Sequence, residues 1–173
     1  MPECSGHSGG YPPIVGLRSG GPSCAFVAVA RRKPPRNSEP CPILACVPQQ
    51  PLVAVVIPAL NEAGKIGRVL DKFPRDGRFE AIVVDDGSTD GTGDEASAHG
   101  AALVIRHERR MGVGAAIRDG WRAGLARGRP YLALISGDDQ HEPAELAPAL
   151  DAVLAAQADY AQGSRRPPKA AAG

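Results

Sequence analysis

From Leu52 onward the chain alternates between unbroken aliphatic runs and stretches with helical spacing. LVAVVI (52–57) is a continuous apolar run of strand length, the mark of a strand buried on both faces. Asn61 is placed to cap a helix in which Ile66, Val69, Leu70 and Phe73 fall on one face. AIVV (81–84) predicts a second buried strand, ending in Asp85-Asp86-Gly87. Thr92 and Glu95 have the spacing of a capping box for a short helix that stops at Gly100. ALVI (102–105) predicts a third strand, and Ile117, Trp121 and Leu125 form the apolar stripe of the next helix, read as core. YLALI (131–135) is a fourth strand running into Ser136-Gly137-Asp138-Asp139. Leu146, Leu150, Val153 and Leu154 mark a last helix, and a short strand near Tyr160 and Ala161 leads to Gly163-Ser164-Arg165.

Strands alternating with helices, each strand nearly all apolar, predict a parallel α/β sheet covered on both sides. Such sheets bind ligands at the carboxyl ends of the strands, where the strand order reverses. Those ends here read Pro58-Ala59-Leu60-Asn61-Glu62, Asp85-Asp86-Gly87-Ser88 and Asp138-Asp139-Gln140. Before residue 50 neither period is present, and GGYPP, SGGPS and KPPRNSEPCP cannot bury enough apolar surface to fold alone. The chain therefore reads as an irregular or disordered leader (1–50), an α/β domain (51–166) and a tail (167–173).

Composition sharpens this picture in three ways. A chain of 173 residues has room for one domain with a core, and 4% aromatic residues make that core aliphatic. Twenty Lys and Arg against nineteen Asp and Glu leave a net charge of +1, without the basic excess that a nucleic-acid partner requires. RHERR (106–110) reads instead as a solvated loop or a phosphate-facing patch. The longest apolar run, Leu52 to Leu60, carries Pro58 and falls far short of the roughly 20 residues that span a bilayer. Cys4, Cys24, Cys41 and Cys46 all precede Leu52 and read as free thiols of a cytoplasmic protein.

Acidic strand ends suit a nucleotide. Carboxylates there accept hydrogen bonds from base N–H groups and ribose hydroxyls. A diphosphate would repel them unless Mg2+ or Mn2+ intervened, held by one or two carboxylates together with the phosphates. Asp138 is the first candidate ligand, with Asp139 its neighbour; Asp85 and Asp86 are candidates for base and ribose. Gly112-Val113-Gly114 lacks the third glycine of a dinucleotide fingerprint and reads as a glycine-rich start to a helix beside the nucleotide or as a purely structural tight turn. His107 and His141 lie on loops and read as bystanders.

VVIPALNE (55–62), IVVDDGSTDGT (82–92), RRMGVGAAIRDG (109–120), SGDDQHEP (136–143) and GSR (163–165) occur in one order over about residues 52–166. Together they resemble family 2 glycosyltransferases, particularly dolichyl- or polyprenyl-phosphate mannosyl- and glucosyltransferases. The resemblance implies a GT-A (Rossmann-like), mostly parallel sheet with helices on both faces. It also implies a UDP- or GDP-sugar donor, Mg2+ or Mn2+, inversion at the anomeric carbon, a lipid-phosphate acceptor and peripheral contact with the cytoplasmic membrane face. Pro58, Leu60, Glu62, Val84, Asp85 and Asp86 would hold base and ribose, with Gly114 beside the nucleotide. Gly137, Asp138 and Gln140 would lie at the diphosphate and metal, and Arg165 at the phosphates or sugar. Asp138 and Asp139 are the candidate catalytic acids.

Ser136 stands where the family's metal motif usually begins with Asp, and Leu60 stands where Tyr is common. After GSR the chain turns to PPKAAAG, so the acceptor side is expected to be missing and donor binding to be more secure than turnover. An inactive nucleotide-sugar-binding fragment is the alternative. A nucleotidyltransferase or dehydrogenase on a similar sheet is a third reading.

Overall fold

A computed structural model describes residues 53–155 and 159–163, together with the backbone of 15–17 and 28–31. The strands are β1 (Val15–Leu17), β2 (Ala28–Arg31), β3 (Val53–Ala59), β4 (Phe79–Asp85), β5 (Leu103–Arg106), β6 (Tyr131–Leu134) and β7 (Tyr160–Gly163). They form one seven-stranded sheet in the order β1-β7-β2-β6-β3-β4-β5. β3 pairs in parallel with β4 and β6, and β4 in parallel with β5. β2 runs antiparallel between β6 and β7. Two stretches of the expected irregular leader thus join the sheet as short strands, because open strand edges beside β6 and β7 supply backbone partners that local sequence cannot. The rest of that leader, and the 167–173 tail, lie outside the described residues.

Among the described residues four α-helices connect the strands: α1 (Ile66–Asp71), α2 (Thr92–Ala98), α3 (Val113–Ala126) and α4 (Leu146–Leu154). The unbroken apolar run of β3 is divided by its pleat, since successive side chains point to opposite faces. Val53, Val55, Ile57 and Ala59 share a core with Ile66, Val69, Leu146 and Leu150. Val56 faces the other way, onto Val84 and Ala116 of α3. Removing one fully buried side chain such as Ile57 or Leu150 from that core forfeits about 2 kcal/mol of burial alone.

The stripe that α3 presents to the sheet differs from the expected one. Ala116, Gly120 and Gly124 are buried, whereas Trp121 is 39% and Leu125 37% exposed. A Cβ on Gly120 would collide with Val56 Cγ1, and one on Gly124 would stand 2.7 Å from the Ala54 Cβ. The helix backbone sits so close to the sheet that small residues, rather than large apolar ones, make the contact.

Two expected caps are also replaced. Asn61 has φ +54° and lies outside α1, accepting a bond from Thr89 N at 3.0 Å. Glu95 turns away from its own helix and accepts bonds from Gly64 N (2.6 Å) and Gly67 N (2.9 Å), so it caps α1 across space. α2 does stop where expected, with Gly100 at φ +86°.

Candidate functional site

The chain runs from β3 outward through β4 and β5, then crosses back along α3 to β6 on the other side of β3. That reversal leaves a crevice beyond the carboxyl ends of β3, β4 and β6. It is a pocket of about 200 Å³. Pro58, Ala59 and Leu60 of the first ending line it, with Asp86 of the second and Ser136 of the third. Arg110, Val113 and Ala116, from the loop before α3 and its first turn, complete the wall. The three strand endings therefore meet at one crevice, and Asp86 is the acid among the residues that line it. A larger cavity of about 260 Å³ lies at the other end of the sheet, near Phe73, Phe79 and His99, where the strand chemistry offers nothing comparable.

Asp86 is 4% exposed, and its carboxylate is already engaged. Its Oδ1 accepts from His107 Nδ1 (2.7 Å) and Met111 N (2.8 Å), and its Oδ2 from Gly112 N (2.7 Å). Burial alone would raise this carboxyl's pKa; the bonds from His107, Met111 and Gly112 outweigh it and hold the group below the ordinary aspartate value. Asp86 thus fastens the loop that brings Arg110 to the crevice. Gly87, at φ +82°, permits this: a Cβ there would lie 2.7 Å from the Arg109 carbonyl carbon and the Arg110 nitrogen. His107, expected to be a bystander, has a side chain only 7% exposed and meets Asp119 Oδ2 at 3.5 Å through Nε2.

The remaining expected nucleotide residues divide by role. Asp85 Oδ1 accepts from Ser88 N at 2.9 Å and closes the turn after β4. Val84 is fully buried beneath the crevice floor. Glu62 pairs with Lys65 Nζ at 2.7 Å, while its own N–H donates to Thr92 Oγ1, binding the loop after β3 to α2. Gly114 lies in the first turn of α3 with open space where a Cβ would be. Arg165 lies outside the described residues.

After β6 the neighbouring acids have different surroundings. Asp139, at φ +62°, accepts from Arg68 Nε (2.8 Å) and Lys72 Nζ (2.9 Å). The Arg68 bond, then the Lys72 bond, keep its carboxyl below the ordinary range. Both of its oxygens pair with cations of α1 and its C-terminal cap, a setting different from that of Asp138. Asp138 Oδ1 accepts from Gln140 N at 3.1 Å, and among the described residues its Oδ2 accepts no hydrogen bond. His141 Nδ1 lies 3.9 Å from Asp138 Oδ1 and 3.2 Å from Ser136 N, whose N–H it accepts. Gly137 is confined: a Cβ would stand 3.3 Å from Ala59 Cβ and Ile66 Cδ1.

Among the described residues no group of three or more His, Cys, Asp or Glu could hold a metal ion. One open carboxylate oxygen on Asp138 still suits a hard divalent cation whose other ligands are phosphates and water. Arg110 lines the crevice, and among the described residues its guanidinium has no hydrogen bond or ion pair. Sequence had offered RHERR as a phosphate-facing patch without singling out Arg110. Among the described residues no helix is long and apolar enough to cross a membrane.

Comparison with known proteins places this geometry in a lineage. The family model for glycosyl transferase family 2 matches residues 54–171. Polyprenol monophosphomannose synthase of Mycolicibacterium smegmatis is 41% identical over 125 residues, covering 66% of this chain and 45% of the relative. Undecaprenyl-phosphate mannosyltransferase of Micrococcus luteus is 37% identical over 124 residues, covering 67% and 49%. Among solved structures, glucosyl-3-phosphoglycerate synthase of Mycobacterium tuberculosis, in complex with Mn2+, UDP and glucosyl-3-phosphoglycerate, is 34% identical. That match has a TM-score of 0.48, over 60% of this chain and 39% of that one. The chain spans about half the length of the curated relatives it matches.

Proposed function

The chain belongs to glycosyl transferase family 2, and on that premise we propose that its crevice binds a UDP- or GDP-sugar for transfer of the sugar to a polyprenyl or dolichyl phosphate. One observation carries this reading: Asp86, Arg110 and Ser136 line a single pocket where the strand order reverses. An apolar floor at Pro58 and Leu60 suits a base, while the Arg110 guanidinium, without a partner among the described residues, suits phosphate oxygens. The names of the two mannosyltransferase relatives support a polyprenyl phosphate as acceptor.

In this reading Asp138 holds Mg2+ or Mn2+ against the donor's diphosphate, with Gly137 and Gln140 shaping the loop around it. The bound cation supplies charge neutralisation on the departing diphosphate. Arg110 adds a second positive group from the loop before α3. The acceptor phosphate oxygen attacks C1 with inversion; already anionic, it needs little help from a general base. Asp138 is the acid left for the reaction, since Asp139 is paired with α1. Arg165 meets the donor's phosphates or sugar, and the protein works at the cytoplasmic face of a membrane, where its lipid acceptor resides.

A titration series with UDP, GDP, their glucose and mannose esters and NAD, with and without Mn2+, tests the donor. Binding of UDP or GDP that strengthens with Mn2+ is expected. Tight NAD binding with no response to either nucleotide would defeat the proposal. Transfer of labelled mannose or glucose to a short polyprenyl phosphate, read by product extraction, tests turnover separately.

A further inference from the structure

We propose that His107 is a positioning residue for the nucleotide crevice, clasped between Asp86 and Asp119 so that the Asp86 carboxylate and the loop it fastens keep their place. The inference rests on the donor reading above. Both ring nitrogens face carboxylates: Nδ1 lies 2.7 Å from Asp86 Oδ1 and Nε2 lies 3.5 Å from Asp119 Oδ2. The backbone beneath is pinned as well, His107 N donating to Asp85 O at 2.9 Å. Asp119 is itself braced by Arg118 Nε at 3.1 Å and Arg122 Nη1 at 3.3 Å.

The imidazole therefore spans from the crevice wall to α3, the helix whose first turn forms part of that wall. With Oδ1 of Asp86 occupied by His107 and Met111, the carboxylate cannot rotate freely. Among the described residues its Oδ2 accepts Gly112 N alone and keeps capacity to accept a further donor from a bound nucleotide. A histidine that merely satisfied a core would have partners away from the crevice. Here one of its two partners lines it.

Two conservative variants separate the contacts. Asn places an amide where Nδ1 lies, and Gln where Nε2 lies. For the tighter of UDP and GDP, measured by isothermal titration with Mn2+, His107→Asn is expected to retain affinity within about threefold and His107→Gln to lose about tenfold, as befits loss of one charge-assisted bond. In an Asp86→Asn background the difference between the two variants disappears, the sign of action through Asp86. Amide exchange at Met111 and Gly112, read without ligand, is faster in His107→Gln than in His107→Asn. Equal affinities for the two variants, or an undiminished difference in the Asp86→Asn background, would overturn the role of His107 alone. Wild-type protein that binds neither nucleotide would overturn the donor reading and this inference with it.

Discussion

Asp139 faces Arg68 on α1 at 2.8 Å, whereas Asp138, one residue earlier, keeps a carboxylate oxygen open. Adjacent acids with the same sequence signal thus end in different chemical settings. Asp138→Asn is expected to abolish the Mn2+-dependent part of nucleotide binding. Asp139→Asn should leave nucleotide affinity within about threefold and reduce stability by about 1 kcal/mol, the scale of part-exposed ion pairs. Titration calorimetry with and without EDTA, beside urea unfolding, reads both; a larger affinity loss for Asp139→Asn would reverse the assignment.

A related expectation concerns the metal itself. With one protein carboxylate and no three-ligand cluster among the described residues, Mn2+ alone should bind only weakly. Addition of UDP or GDP should raise Mn2+ affinity at least about tenfold, because the phosphates complete the coordination shell. Mn2+ relaxation measured with and without nucleotide checks this, and tight binding to the nucleotide-free protein would contradict it.

Arg110 makes no hydrogen bond or ion pair among the described residues, so its removal should cost binding rather than stability. Arg110→Ala is expected to weaken nucleotide affinity about tenfold and to flatten its dependence on salt, with the unfolding midpoint unchanged. An unchanged affinity would remove Arg110 from the site.

Glu80 on β4 is 5% exposed and is bonded by Arg129 and Arg127, each with a contact at 2.9 Å. Burial raises its pKa, but the Arg129 and then the Arg127 bonds prevail, leaving it below the ordinary glutamate value. A carboxyl with a depressed folded pKa contributes stability that is full above its unfolded pKa and is lost as pH falls through the folded one. Glu80→Gln should therefore cost about 3 kcal/mol at neutral pH by leaving buried arginine charge uncompensated. It should also flatten the acid side of the stability profile. Urea midpoints from neutral to acid pH measure this, and parallel profiles for variant and wild type would refute it.

Close approach of α3 gives a steric prediction. Gly120→Ala places a methyl into Val56 and should destabilise by about 2 kcal/mol, despite the better helix propensity of alanine. Gly114→Ala, with open space at its Cβ, should be neutral or stabilising. Thermal unfolding of the pair distinguishes packing from propensity.

The central strands were legible because uninterrupted Val, Ile and Leu have few other uses, and the crevice because parallel strands end together. What was not legible depends on partners distant in sequence. Ala116, Gly120 and Gly124 carry too little apolar surface to register as a stripe, so Ile117, Trp121 and Leu125 took their place. Glu95 has capping-box spacing to Thr92 yet caps α1, a choice set by how α1 and α2 pack. His107 looked like a loop residue because its burial comes from Asp86 and Asp119, 21 and 12 positions away in the chain. The split between Asp138 and Asp139 comes from Arg68 and Lys72, 71 and 67 positions from Asp139 in the chain.

The crevice combines a floor lined by apolar Pro58, Ala59 and Leu60 with a rim fastened by polar groups converging on the single carboxylate of Asp86. Aliphatic packing holds the strands beneath the floor, whereas the rim hangs on a few directional bonds to one carboxylate. Opening the rim should therefore cost far less than global unfolding, so the crevice can yield locally while the sheet beneath it stays folded.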